Sequence, residues 1–145
     1  MSKGYSGLFR RTSGHKLYTN TLRDKANNAV RKLISSTPKG TAKAMAVGAY
    51  DIKTGKATTS FAGAVPKQIH PVLQEKLKRI GEIGTHGLSV KNTLGVCAEF
   101  HVVNELLYKG SKWEDIRLTP AIRPRTGKAR AYCENCTALF YDIIN

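Results

Sequence analysis

Every cysteine of the chain lies in one of two short motifs, Val96-Cys97-Ala98-Glu99-Phe100 and Tyr132-Cys133-Glu134-Asn135-Cys136. Three thiols cannot all pair off as disulfides, so the count points to other chemistry. Thiolate sulfur binds zinc at about 2.3 Å, and catalytic zinc sites combine three protein ligands with one position left for water. Cys133 and Cys136 have the two-residue gap that lets both sulfurs reach one ion, and Cys97 supplies the third ligand. At a helix start, free backbone N–H groups and the helix dipole also favour thiolate. Glu99 adds what a closed structural site does not need, a carboxylate able to take a proton from activated water and pass it to a leaving group. Two residues along a continuous helix, a side chain points about 200° away. Cys97 and Glu99 can therefore share one cavity only if the chain enters its helix at Val96–Cys97.

Two other chemistries fit parts of the pattern. A Cys-x-x-Cys pair can be a redox site, but no thioredoxin-type βαβ setting surrounds this one. A closed structural zinc would need an imidazole beside the thiolates, and His15, His70, His86 and His101 are available. His101 and Asn104 read instead as residues on a helix surface.

The motifs need elements to hold them. Leu22, Ala26, Ala29, Val30, Leu33 and Ile34 fall at helical spacing, with Thr21 and Asp24 as a cap and Pro38-Lys39-Gly40 as a stop. Residues 1–18 read as an N-terminal arm or loop, and residues 19–145 as one domain. AMAVGAYDI (44–52) reads as a buried strand, with ATTSFAGAV (57–65) as its hairpin partner. Pro71 opens a helix bearing Val72, Leu73, Leu77 and Ile80, ending near Gly81 or Gly84. The loop THGLSVKNTLG leads into a helix at CAEFHVVNELLYKG, terminated by Gly110. IRLTPAIR (116–123) is a third strand in which Pro120 marks an edge or a bulge, and CENCTALFYDII is a last helix, in part extended. The order predicts an α/β fold, a mixed sheet packed between helices, with both cysteine motifs where loop or strand gives way to helix.

Charge is the one outlying bulk property: 24 Lys and Arg against 10 Asp and Glu give +14. Folding needs no such excess, and the expected partner is a polyanion, nucleic acid above all. A solubility surplus or a docking face for an acidic protein would also produce it. No basic amphipathic helix with a bulky aromatic face and no apolar run of about 18 residues appears, so no membrane is expected as partner. MSKGYSGLFRRTSGHKLYTN lacks a continuous apolar core and does not read as a secretory signal.

C-A-E at a helix start, followed by C-x-x-C at another, resembles the zinc-dependent nucleobase deaminases of the cytidine deaminase fold, whose pattern is H/C-x-E then P-C-x-x-C. Within that superfamily the chain looks most like the YwqJ-like deaminases, which occur as C-terminal toxin domains of secreted bacterial effectors. The resemblance covers roughly residues 20–145 in element order, with specificity confined to CAE and CENC. It implies a cytidine deaminase-like α-β-α sandwich, Zn2+ on Cys97, Cys133 and Cys136, and Glu99 as proton shuttle. It further implies hydrolytic C-to-U conversion, zinc-activated hydroxide attacking C4 of cytosine and ammonia leaving. DNA is the expected substrate; RNA, adenine or free nucleotides are the alternative, and a non-catalytic nucleic-acid-binding module with structural zinc is another. A toxin domain implies secretion, action in the cytoplasm of a target cell, and an immunity protein, here an acidic one. Tyr132 stands where the pattern has Pro, and Cys97 where His is commoner, which makes the ligand set all-thiolate.

A base must be enclosed to react, so walls are expected around the ion. Candidates are Phe61, Ala62 and Gly63 after the second strand, and His86, Asn92 and Thr93 before the first motif. Arg123, Arg125, Lys128 and Arg130 form a cationic loop just ahead of the second motif and are the expected phosphate contacts. Lys76, Lys78 and Arg79 are a more distant set.

Overall fold

The computed structural model describes residues 8–38, 45–89 and 92–144, with side chains from residue 20 onward. Helix α1 spans Leu8–Ser35, strand β1 Ala46–Asp51, β2 Ala57–Phe61, helix α2 Pro71–Leu77 and α3 Ala98–Tyr108. After a 3-10 turn at Trp113–Asp115 come β3 (Ile116–Leu118), β4 (Ala121–Arg123), β5 (Lys128–Arg130) and α4 (Glu134–Phe140). The class is the α/β expected.

Strand β1 organises the molecule because both of its faces are buried. Side chains of a strand alternate between faces. Val47 and Ala49 join the main core with Val102, Val103 and Leu106 of α3, Leu73 and Leu77 of α2, and Leu139 and Phe140 of α4. Tyr50 turns the other way and packs with Leu22 and Ala26 of α1. Gly48 shares that second face, where a Cβ would lie 2.9 Å from Val30 Cγ2, so a glycine lets α1 approach. The layers are thus α1, sheet, and α2–α3–α4.

The sheet differs from the expected mixed one. Its order is β2-β1-β4-β5 with β3 also on β1, and every strand pairing is antiparallel. Parallel pairing is confined, among the described residues, to the isolated bridge Leu118↔Ile144. Antiparallel hairpins need only short turns, and such turns are what this chain supplies.

Residues 116–123 form two strands where one was expected. Ala49 pairs with Leu118, yet Ala46 pairs with Ile122, so three steps along β1 are matched by four along its partner. The extra residue is a β-bulge at Thr119–Pro120, one of the two outcomes Pro120 suggested. Thr119 secures it by accepting from the Gly48 amide through Oγ1 at 2.9 Å while its own amide donates to the Gly48 carbonyl.

Three element boundaries also move. Helix α1 starts at Leu8, so residues 8–18, expected as arm or loop, are helical, and Thr21–Asp24 is not its beginning. A helix that is nucleated by packing extends at little cost per residue, and Gly14 within it opposes this by only about 1 kcal/mol. Residues 1–7 lie outside the described set, as does Ala44 of the first expected strand. Strand β2 stops at Phe61, beyond which the Gly63 amide donates to the Val96 carbonyl. Helix α2 opens as expected, with Pro71 in its first turn and His70 Nδ1 accepting from the Val72 amide at 3.2 Å, but ends at Leu77.

Candidate metal centre

Cys97 is the N-cap of α3, with extended backbone (φ −66°, ψ 148°) immediately before the first helical residue. Cys133 holds the same place on α4 (φ −71°, ψ 169°), and Cys136 sits one turn in, buried. The two helix starts meet there. The three sulfurs lie within 4.8 Å of one another, Cys97 and Cys133 at 3.5 Å. Two thiolates sharing one tetrahedral zinc at 2.3 Å would stand about 3.8 Å apart, so the trio fits that ion.

The non-helical backbone at Cys97 resolves the periodicity problem that C-A-E posed. Glu99 lies in the first turn of α3 and is 4% exposed. Its carboxyl feels both the Cys133 charge and a hydrogen bond involving Cys136, so it faces the thiols. Burial pushes that carboxyl up to about 7, with the Cys133 charge adding to the rise.

Without a metal, the trio shares its protons unequally. Hydrogen bonds from Cys136 and Cys97 hold the Cys133 thiol well below the usual range, and the Asn135 and Cys136 amides of the α4 first turn act in the same direction. Cys97 is pushed up to about 12, first by its hydrogen bond to Cys133, and Cys136 is raised for the same reason. A cation bound by the three sulfurs would displace the thiol protons.

No described histidine or carboxylate oxygen joins the sulfur cluster. The alternative of a closed three-thiolate, one-imidazole site therefore finds no fourth ligand among the described residues. His70 is occupied capping α2 and stacking edge-on with Tyr108, His101 Nε2 is 3.4 Å from the Gly63 carbonyl, and His86 is exposed. The His15 side chain lies outside the described set. Asn104, expected on a helix surface, is buried and clamps the approach to α2, accepting from the His70 amide and donating to the Gln68 carbonyl, each at 2.9 Å.

The remaining candidates divide. Phe61 and Ala62 are half-buried, and Ala62 packs against the main core. His86 and Asn92 are brought to the α4 start through their backbones, by a residue the sequence reading passed over: Asn135, 1% exposed. Its Oδ1 accepts from the Leu88 amide at 2.7 Å, and its Nδ2 donates to the carbonyls of His86 (2.9 Å) and Asn92 (3.4 Å). Gly87 has φ +57°, and a Cβ there would meet Asn135 Oδ1 at 2.7 Å. The signal was an amide side chain between two ligand positions; what it binds was not readable. Thr93 is half-buried, and no side-chain role emerges for it.

Tyr132, in the place of proline, is half-buried and its hydroxyl donates to the Thr119 carbonyl, fixing the entry to Cys133 against the bulge. A groove of about 440 Å³ lies beside the end of α2, between Ile69, Leu77, Gly81 and Ile83, and includes neither a cysteine nor Glu99. The run 123–130, expected as a loop, is the β4–β5 hairpin.

No protein-family model, curated protein or solved structure matches the chain.

Proposed function

We propose that this chain is a zinc-dependent deaminase converting cytosine to uracil in nucleic acid, DNA foremost, and that it is a toxin domain of the YwqJ-like kind. The observation that carries the reading is three gathered sulfurs with no fourth ligand among the described residues, and a buried Glu99 carboxyl that interacts with Cys133 and Cys136 of that trio. Cys97, Cys133 and Cys136 would hold the zinc, which supplies Lewis-acid activation of water. Glu99 would accept a proton from that water and return it to the base as the C4–N bond breaks and ammonia leaves, the oxygen remaining on C4. An all-thiolate ligand set is more negative than one containing His, which weakens the pull on water and leaves more of the work to Glu99. In a secreted effector such a domain would act in the cytoplasm of the target cell, and an acidic immunity protein would complement the +14 charge.

The test is incubation of zinc-loaded protein with single- and double-stranded DNA and RNA, followed by sequencing for C-to-T changes. Glu99→Ala should abolish conversion, a loss of at least about 100-fold, while zinc content stays at one ion per chain. Full activity in the alanine variant would remove Glu99 from the chemistry. Inert wild type with four protein ligands to zinc would make the protein a binding module instead.

A further inference from the structure

The β4–β5 hairpin carries a cationic face that the rest of the fold leaves unneutralised. In an antiparallel pair, directly opposed residues project to the same side, and positions two apart share it. Arg123 is opposed to Lys128 and Ala121 to Arg130, so Arg123, Lys128 and Arg130 share the face of Ala121. Ala121 is fully buried in the core that α3 and α4 cover. These cations are therefore on the side of the sheet that bears the cysteine cluster. The bulge is responsible: unbroken alternation from Leu118, also in that core, would have placed Ile122 there and turned Arg123 toward α1.

Like charges placed directly across a ladder repel. Yet none of these side chains has an ion-pair partner among the described residues, where the ion pairs are Lys78–Glu75 and Lys109–Glu105. Arg123 Nε is buried with no hydrogen-bond acceptor. The other basic set is already engaged: Lys78 pairs with Glu75, Lys76 lies over the Trp113 ring and Arg79 over Tyr141. A single edge lysine would suffice to deter sheet-edge pairing, so the opposed cations call for another reason. Strand β5 is the fully exposed end of the sheet, and only Ala131 and Tyr132 separate it from Cys133.

From this we infer that the β4–β5 hairpin is the seat for a phosphodiester backbone, with Arg123, Lys128 and Arg130 on its inner face and Arg125 at its tip, leading the strand toward the thiol cluster. The inference deepens the reading of nucleic acid as substrate and rests on it.

The experiment compares zinc-loaded wild type with the triple variant R125Q/K128Q/R130Q, in which the half-buried Arg123 is kept. Affinity for a labelled single-stranded DNA oligonucleotide containing one cytosine is measured from about 50 to 200 mM salt. The slope of log K against log salt should shrink by about 2, near 0.7 per lost phosphate contact. Zinc content should be unchanged. K76Q/K78Q/R79Q, the engaged set, should leave the slope as in wild type. An unchanged slope in the hairpin variant overturns the inference, and so do equal losses in both variants, which would mark the general field of the protein. A reduced slope in a protein that deaminates nothing supports the hairpin while sinking the deaminase reading. Deamination of the oligonucleotide with an unaltered slope does the reverse.

Discussion

Glu99 is buried against sulfur, and its carboxyl is raised from 4.5 to about 7 chiefly by desolvation. The consequence for stability has a definite sign. Between those values the folded protein holds a proton that the unfolded chain has released, so stability is full below about 4.5 and declines as pH rises toward 7. At about 1.4 kcal/mol per unit, the loss is on the order of 3 kcal/mol in metal-free protein. Glu99→Gln removes the titrating group. In urea titrations of metal-free protein, the variant should gain on wild type by a few kcal/mol between pH 5 and pH 8. Parallel curves across that range would mean the carboxyl is better solvated than its 4% exposure indicates. Zinc, as a nearby cation, should flatten the wild-type dependence.

Among the elements, the loop between α2 and α3 is anchored to the start of α4 by Asn135. Asn135 satisfies the Leu88 amide and two carbonyls from inside the α4 first turn. Asn135→Ala would leave buried polar groups unmet, at about 1–3 kcal/mol for the worst of them. The expected result is a lower melting temperature and faster amide exchange at Leu88, with the sulfur trio still able to bind zinc. Unaltered exchange at Leu88 would show that the loop is held by something else. Periodicity made α3 and the β1–β2 hairpin legible because their apolar spacing repeats over many residues. It missed the β4–β5 pairing because three-residue strands carry too little pattern, and the bulge was legible only as one of two readings of Pro120. Gly and Pro in that run read equally well as loop. Asn104 was expected on a helix surface and Asn135 was passed over because an asparagine that clamps a distant backbone looks, in sequence, like any polar helix residue.

At the scale of the whole molecule, a metal at the thiols would tie α3 to α4 across 36 residues of chain between Cys97 and Cys133. A metal that binds the folded trio more tightly than the open chain should add to the free energy of unfolding. Thermal scans with zinc and with chelator should differ by several degrees, and Cys136→Ser should shrink that difference. A melting point indifferent to chelation would mean the trio holds no ion in solution. The three layers also set how this tie is used, since α1 packs on one face of β1 while the thiols lie on the other.

Residue types and spacing were enough to nominate the three sulfurs and Glu99, because all three cysteines are confined to two short motifs and Glu99 stands two residues after one of them. The strong positive charge was likewise a property of composition alone. Which way those groups face was settled only by tertiary structure. Two extended N-cap residues bring the thiols together, burial raises the Glu99 carboxyl, and a single inserted residue at Thr119–Pro120 turns the hairpin cations to the side of the cysteines. Such outcomes depend on contacts between positions far apart in the chain, and local pattern holds no record of them.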